Sequence, residues 1–512
     1  FFSGDFRDPA SYSRQAAKVR SRDLPREQMA AILKESNLAY GCGAPTLGNI
    51  QKLVEDKACA VVTGQQTGLF SGPLYTIFKA LTAIRLAEYL NQENPGEFVP
   101  VFWLASNDHD FAEIDHINLL DKENRIKAIQ YRGPSTALKS PVSQVVLSQD
   151  ISDCIRQLEE LTHDSEFKPE ILSQLRDAYR PGRTYVEAFA RWMTRLFQSY
   201  GLIFIDPEHP GLKDLGKDVF YNEIAQNSPS TQGALETSQK LDQKNYPKQV
   251  PQREGILNVF LVDGERRSIR VEDNGYRIKG KTHTYSKDEL LQLVEKEPHT
   301  FSPNVLLRPL FQDALLPTIA YVGGTSEVAY FAQMKDVYRS FNLPMPVIYP
   351  RKSLTLIEKT VDKTLQTYSL KVEDIWREAD ERIKELAKQQ FPPSLTEVFQ
   401  TTTSHIDRDL ADIKREIQAF DPALEKTVDQ TVWKIQHQLS LLEAKILQAS
   451  KKRNIVLMNR LNLAKNSLYP NRHLQERVFN ITPFLFKHGF ALIDRLHRDI
   501  DIASHEHQVI TL

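Results

Sequence analysis

Between Ala58 and Ala105 the chain passes through a short apolar run, a glycine-rich turn, a stretch with helical spacing and a second apolar run rich in Val, Phe and Trp. Ala58 to Thr63 and Phe98 to Ala105 read as strands, and Leu74 to Asn91 as a helix. That order is a βαβ unit, so the two strands are parallel. The turn after the first strand then falls at the carboxyl edge of a sheet, where such folds bind ligands.

The same grammar breaks off and resumes downstream. Residues 126–182 read as an insertion, mostly helical after Ser148. A helix from Tyr185 to Tyr200 and a strand from Leu202 to Asp206 then continue the core. Between Leu257 and Lys281, alternation around Asp263-Gly264 and Asn274-Gly275 predicts a small antiparallel excursion. A helix from Ser326 to Phe341 and a strand from Pro346 to Tyr349 restore the βα pattern. The expected divisions are 1–125 (first half of the core), 126–182 (mostly helical insertion), 183–250 (core continued), 251–300 (antiparallel β/α insertion), 301–352 (second half) and 353–512 (helical arm and tail).

In the arm, Ile406, Leu410, Ile413, Ile417 and Phe420 step by fours and threes. After Asp421-Pro422 the series continues through Val428, Val432, Ile435, Leu439, Leu442, Ile446 and Ala449. Such a seam needs a partner helix. An antiparallel pair turning at Pro422 uses part of it, and whatever stays exposed favours a homodimer; the alternative is a bundle packed on the body.

With 512 residues and 41% hydrophobic content, two or three domains are expected. Lys plus Arg (65) nearly cancels Asp plus Glu (66), and the net charge of -1 gives no electrostatic reason for nucleic acid or an anionic membrane to be the main partner. Small anions stay open as ligands. Cys42, Cys59 and Cys154 lack disulfide-framework or zinc spacing, so a reducing, cytoplasmic setting is expected. No run approaches the roughly 20 apolar residues of a membrane helix. No secretory leader is expected, and residues ahead of Phe1 are expected to be missing.

Three segments carry candidate chemistry. In the first, Thr63 to Tyr75, Gly64, Gly68 and Gly72 let the backbone approach a ligand and Pro73 stands where helices begin, with Gln65 and Gln66 between. It is neither a Walker loop nor a dinucleotide fingerprint, and a tight turn needing glycine is the plain alternative. In the second, Asn107-Asp108-His109-Asp110, with Glu113 and His116 beyond, the carboxylates could hold an amine, bind Mg²⁺ or orient His109 as acid or base; capping the next helix is the other reading. A transition-metal site of Asp108, His109 and His116 is a further alternative, but their spacing matches no recognised one and no metal ligand set is assigned. In the third, Arg308 precedes Gly323-Gly324, where a glycine turn again leads into a helix bearing Glu327, Tyr330 and Lys335.

Together these segments resemble the bacillithiol-biosynthesis cysteine-adding enzyme family, in patches from Val61 to Ser353 and again in the arm and the tail with Pro483 and His488-Gly489. The resemblance implies an α/β, Rossmann-like parallel-sheet core with inserted segments and a C-terminal coiled-coil arm that dimerises. It also implies ligation of L-cysteine to glucosaminyl-malate, giving bacillithiol. That family looks like class I aminoacyl-tRNA synthetases, which activate an amino acid with ATP. Here Tyr75 and Phe78 occupy the positions of their two helix-start histidines and Ile77 that of a glycine, while Pro350-Arg351-Lys352-Ser353 matches their phosphate loop only loosely. Neither ring does the work of an imidazole on a triphosphate, which leaves Lys79, Arg308, Arg351 and Lys352 as the available cations.

The expected enzyme is thus a ligase forming an amide bond, with ATP and Mg as cosubstrate and metal. Asp108 or Asp110 would hold the cysteine ammonium and His109 would be the base. Substrate or nucleotide would be bound by Gly64, Gln65, Gln66, Gly68, Gly72, Pro73, Tyr75, Lys79, Asn107, Arg308, Gly323, Gly324, Glu327, Tyr330, Arg351 and Ser353. The rival readings are a class I-like nucleotidyltransferase for another acid and amine, and a non-catalytic coiled-coil scaffold.

Overall fold

The computed structural model describes residues 1–55, 57–93, 97–107, 111–133, 141–273, 275–389, 393–453 and 455–512. Strand β1 (Ala58–Gln66) is apolar on both faces. Ala60 and Val62 enter a core with Met29, Leu33 and Ile50, while Cys59 and Val61 enter another with Tyr12, Val19, Ala83 and Leu90. A strand that buries both faces belongs inside a parallel sheet covered by helices on either side. It lies there, in the order β5-β4-β1-β2-β3, with β2 Glu97–Ala105, β3 Ile203–Ile205, β4 Thr318–Gly323 and β5 Val347–Pro350. All four pairings are parallel.

From β1 the chain runs outward to β2 and β3, then returns across β1 to build β4 and β5. The direction of winding therefore switches between β1 and β4. Open sheets of this kind bind ligands in the crevice at that switch, beyond the strand ends. Helix α1 (Leu74–Glu93) links β1 to β2 and supplies Ala83, Leu86 and Leu90 to one of the two cores.

Contacts group the chain into two units, one of residues 1–122, 126–355 and 476–508, the other of 123–125, 356–475 and 509–512. Within the first, the antiparallel excursion is a five-stranded sheet. Phe301–Pro303 pairs with Ile256–Val262, so the sheet runs past the Lys281 limit expected from the turns. A hairpin of His116–Leu120 and Ile126–Gln130 begins ahead of residue 126. The helix expected from Ser326 to Phe341 is two, α2 (Thr325–Phe331) and α3 (Lys335–Ser340). Buried Gln333 sits at the break; its carbonyl oxygen accepts from the N–H groups of Gln249 (2.8 Å) and Val250 (2.9 Å) and its amide donates to the Val250 carbonyl (3.0 Å). Pairing these groups outweighs helix continuity, because a buried amide left unpaired costs about 1–3 kcal/mol.

In the second unit, Pro393–Phe420 and Glu425–Arg453 form the antiparallel pair that the seam predicts, turning through Pro422–Leu424. Gln418 donates to Glu425 (2.9 Å), Lys414 pairs with Asp429 and Gln436 donates to Asp407 (3.2 Å), each partner stepping symmetrically away from the turn. At the other end Val361, Leu365, Ile375 and Ile383 close a small core with Leu457, Leu461 and Leu468. Among the described residues no helix is long and apolar enough to cross a membrane.

Candidate active site

After β1 the backbone makes a turn that few sequences tolerate: Phe70, Ser71 and Gly72 take φ of 49°, 84° and 68° in succession. Gly68 must be a glycine for a second reason, since a Cβ there would stand 2.8 Å from the Cα of Gly72. Two carbonyls of the turn, those of Phe70 (2.8 Å) and Gly72 (2.7 Å), accept from the side-chain amide of buried Asn480, whose own oxygen accepts from the N–H of Thr482 (2.9 Å). The N–H of Leu74, at the start of α1, donates to the Phe479 carbonyl (2.8 Å). The turn is held from a segment four hundred residues away in sequence, and its amides are positioned by that contact.

Above the turn, at the switch between β1 and β4, lies a cleft of about 540 Å³. Gly64, Gln65 and Gln66 line it from β1, Tyr75 and Lys79 from α1, Gly324, Glu327 and Tyr330 from the β4–α2 segment, with Arg308, Arg351 and Arg477 around it. A Cβ on Gly64 would stand 3.0 Å from the Trp103 carbonyl, so any larger residue there would press on the neighbouring strand β2.

Four cations face this space, and they are not equivalent. The Lys79 ammonium, 3% exposed, donates to the Gly64 carbonyl (2.6 Å) and the Gln65 side chain (3.0 Å) and pairs with Glu327. All three of its hydrogens are thereby committed. Burial pulls its pKa below the ordinary lysine value even with Glu327 adjacent. Burial alone would raise the Glu327 carboxyl, but Lys79, the Tyr321 hydroxyl (2.6 Å) and the Gly324 N–H (2.8 Å) hold it below the usual carboxylate range. Glu327 is therefore the firmly ionised member of the pair.

Arg351 is committed too. Its guanidinium grips both oxygens of Glu476 (2.9 and 2.7 Å) while lying 5.6 Å from the centre of the Tyr75 ring. Glu476, buried, also accepts from the Ser353 hydroxyl (2.9 Å) and the Leu354 N–H (3.0 Å). Burial works to raise its carboxyl, and these donors, Arg351 foremost, hold it below 4.5. Stability from a depressed carboxylate is present above its unfolded pKa and lost as pH falls through the folded value. Glu476→Gln is accordingly expected to flatten the loss of stability below about pH 4.5, read by urea unfolding at pH 7, 5 and 4; a parallel pH profile in both proteins would contradict this.

Arg308 differs from both. Among the described residues its partners are neutral: the Tyr330 hydroxyl (2.8 Å), the Gln312 side chain (3.1 Å) and the Tyr321 hydroxyl (3.5 Å). Arg477 likewise donates to a neutral group, the Thr325 hydroxyl (3.2 Å). These two guanidiniums leave the cleft with positive charge to offer an anionic ligand.

Residues 1–352 match the family described as "Bacillithiol biosynthesis BshC, N-terminal Rossmann-like domain", and residues 354–512 its "C-terminal coiled-coil domain". The chain belongs to the bacillithiol biosynthesis BshC family. Among similar proteins, one named "Putative cysteine ligase BshC" from Salinibacter ruber is 34% identical across 100% of this chain and 93% of its own. Its namesake from Koribacter versatilis is 35% identical over 95% and 90%, and that from Bacillus cytotoxicus 29% over 98% and 94%. Among solved structures, a chain titled as a putative arginyl-tRNA synthetase from Campylobacter jejuni covers 91% of this one at 9% identity and a TM-score of 0.24, too loose a likeness to define a shared fold.

Within this BshC-family chain, eleven residues assigned from sequence line the cleft or the smaller void beside it: Gly64, Gln65, Gln66, Gly68, Gly72, Pro73, Tyr75, Lys79, Arg308, Glu327 and Tyr330. Gly324 and Arg351 join them. Asn107, Gly323 and Ser353 do not. The Asn107 amide points to Ser302 and the Pro303 carbonyl (3.4 Å), Gly323 pairs within the sheet, and Ser353 bonds to Glu476 and the His507 ring (2.8 Å). Asp108, His109 and Asp110 lie outside the described residues. Of the synthetase-like helix-start positions, Tyr75 reaches the cleft, whereas Ile77 and Phe78 are fully buried. Lys352 is also buried, its ammonium on the Ser504 carbonyl. Sequence reasoning missed Glu476, Arg477 and Asn480; the only local hint was the turn-and-helix-start signature of Asn480-Ile481-Thr482-Pro483.

Proposed function

We propose that this chain is a ligase that joins L-cysteine to the amine of glucosaminyl-malate, forming bacillithiol, and that the reaction takes place in the cleft between the ends of β1 and β4. The observation that carries the reading is Arg308, a half-buried guanidinium with neutral partners in a cleft at the switch point. The malate half of the acceptor carries two carboxylates, the groups a forked cation recognises best. In the reaction the acceptor's amine nitrogen bonds to the cysteine carboxyl carbon, an oxygen of that carboxyl departs with its activating group, and the amine gives up a proton. ATP with Mg²⁺ would supply the activation. Arg477 suits its phosphates, and Asp108 and Asp110 are the carboxylates the sequence offers the metal.

The chain's own groups then have distinct tasks. Lys79 and Glu327 fix the end of β1 against the start of α2, and Arg351, held by Glu476, fixes Tyr75. His109 is the group the sequence offers to take the proton from the amine. Calorimetric titration tests the anchor: glucosaminyl-malate is expected to bind at least about tenfold tighter than the methyl glucosaminide lacking malate, and equal affinities would contradict it.

The arm serves assembly. Phe420, Trp433 and Leu442 remain 87%, 62% and 47% exposed on the helical pair, more apolar surface than a lone hairpin ordinarily leaves in water. A homodimer through this arm is the expected state. Light scattering should give about twice the chain mass, and Trp433→Glu with Leu442→Glu should return it to one; a monomeric wild type would contradict the assignment.

A further inference from the structure

Beside the cleft, and sharing Gln65, Tyr75, Glu113 and Arg477 with it, is a second, more enclosed void of about 50 Å³. At roughly 10–15 Å³ for each water-sized occupant it has room for about four such atoms. Its lining is polar for so small a space. Thr76, in the first turn of α1 and 1% exposed, is one of its lining residues, and its hydroxyl has no hydrogen-bond partner among the described residues. A buried hydroxyl left in that state is destabilising unless a ligand or water completes it.

Across the void stands His116. Its Nδ1 lies 2.9 Å from the Asp115 carboxylate, which is itself 9% exposed and accepts from the Gln130 amide at 2.7 Å. The carboxylate selects the tautomer in which Nδ1 donates, leaving Nε2 as an acceptor. At the border with the main cleft, the Glu113 carboxylate accepts from the Gln66 amide at 3.0 Å. The void thus combines a hydroxyl, a fixed imidazole and an anion, and it opens toward a cleft rich in guanidinium groups.

We infer that this void is the subsite for the small amino-acid substrate: Glu113 faces the ammonium, Thr76 and His116 meet the thiol, and the carboxylate projects into the main cleft. The amino nitrogen, Cα, methylene and sulfur are four heavy atoms, matching the room available. Ile114, 4% exposed, closes the void against a longer side chain. This rests on the reading of the chain as a cysteine ligase and deepens it, because it makes thiol selection a matter of protein hydrogen bonds.

The test is equilibrium binding to the full-length protein by calorimetry, with L-cysteine, L-2-aminobutyrate (a methyl in place of the thiol) and L-homocysteine as probes. Wild type should bind cysteine at least about tenfold tighter than either analogue. Thr76→Val should erase the advantage over 2-aminobutyrate, Ile114→Ala should bring homocysteine within about threefold of cysteine, and Glu113→Gln, at an exposed position, should weaken all three about tenfold or more. Equal binding of the three by wild type, or an unchanged cysteine affinity in Glu113→Gln, would overturn the inference. Cysteine bound with this selectivity but never joined to glucosaminyl-malate would overturn the ligase reading and leave the subsite standing. Product formation with variants that bind all three as wild type does would do the reverse.

Discussion

Replacing Lys79 by Met is expected to remove activity and to lower stability by about 3–5 kcal/mol, the usual consequence of deleting one member of a buried ion pair. The reason lies in the commitment of its three hydrogens. Without the ammonium, the Glu327 carboxylate and the Gly64 carbonyl lose their common donor, and the end of β1 is no longer tied to the start of α2. Combining Lys79→Met with Glu327→Leu removes the stranded charge, so most of the stability should return while activity does not. Urea unfolding and product assays on the two variants check this; a single variant as stable as wild type would contradict the account of the pair.

Arg308→Gln should act differently. The Gln amide falls short of the guanidinium's contacts, but those partners are neutral, so no charge is stranded and folding should be largely preserved. A charged hydrogen bond to a carboxylate is worth about 2–3 kcal/mol, so KM for glucosaminyl-malate should rise roughly 30- to 150-fold, with a smaller change in kcat. Arg308→Lys should fall between, because an ammonium keeps the charge and loses the fork. Steady-state kinetics with the acceptor varied at saturating cysteine separates these cases. An unchanged KM in Arg308→Gln would remove Arg308 from acceptor recognition.

Strands β1 and β2 and helix α1 are legible in the sequence because each is specified locally: runs that bury both faces for the strands, and a long apolar helical repeat for the helix. The antiparallel hairpin of the arm is legible for the same reason, since Ile406 to Phe420 and Val428 to Ala449 each carry the period and Asp421-Pro422 breaks it between them. What local pattern cannot show is long-range hydrogen bonding. Gln333 breaks an otherwise continuous helix because residues 249 and 250 require its amide, and Asn480 completes a turn laid down near residue 70. The same limit affected the cations. By type alone Lys79, Arg308, Arg351 and Lys352 are equal candidates for a phosphate or carboxylate, whereas the fold engages Lys79 with Glu327, Arg351 with Glu476 and Lys352 with a carbonyl, and leaves Arg308 with neutral partners.

The central claim is that this chain itself makes the amide bond. Mass spectrometry of the purified full-length protein with cysteine and glucosaminyl-malate, with and without ATP and Mg²⁺, tests it most directly. The account predicts a cysteinyl product that appears only when ATP and Mg²⁺ are present; no product under either condition, from protein that is folded and binds both substrates, would contradict it.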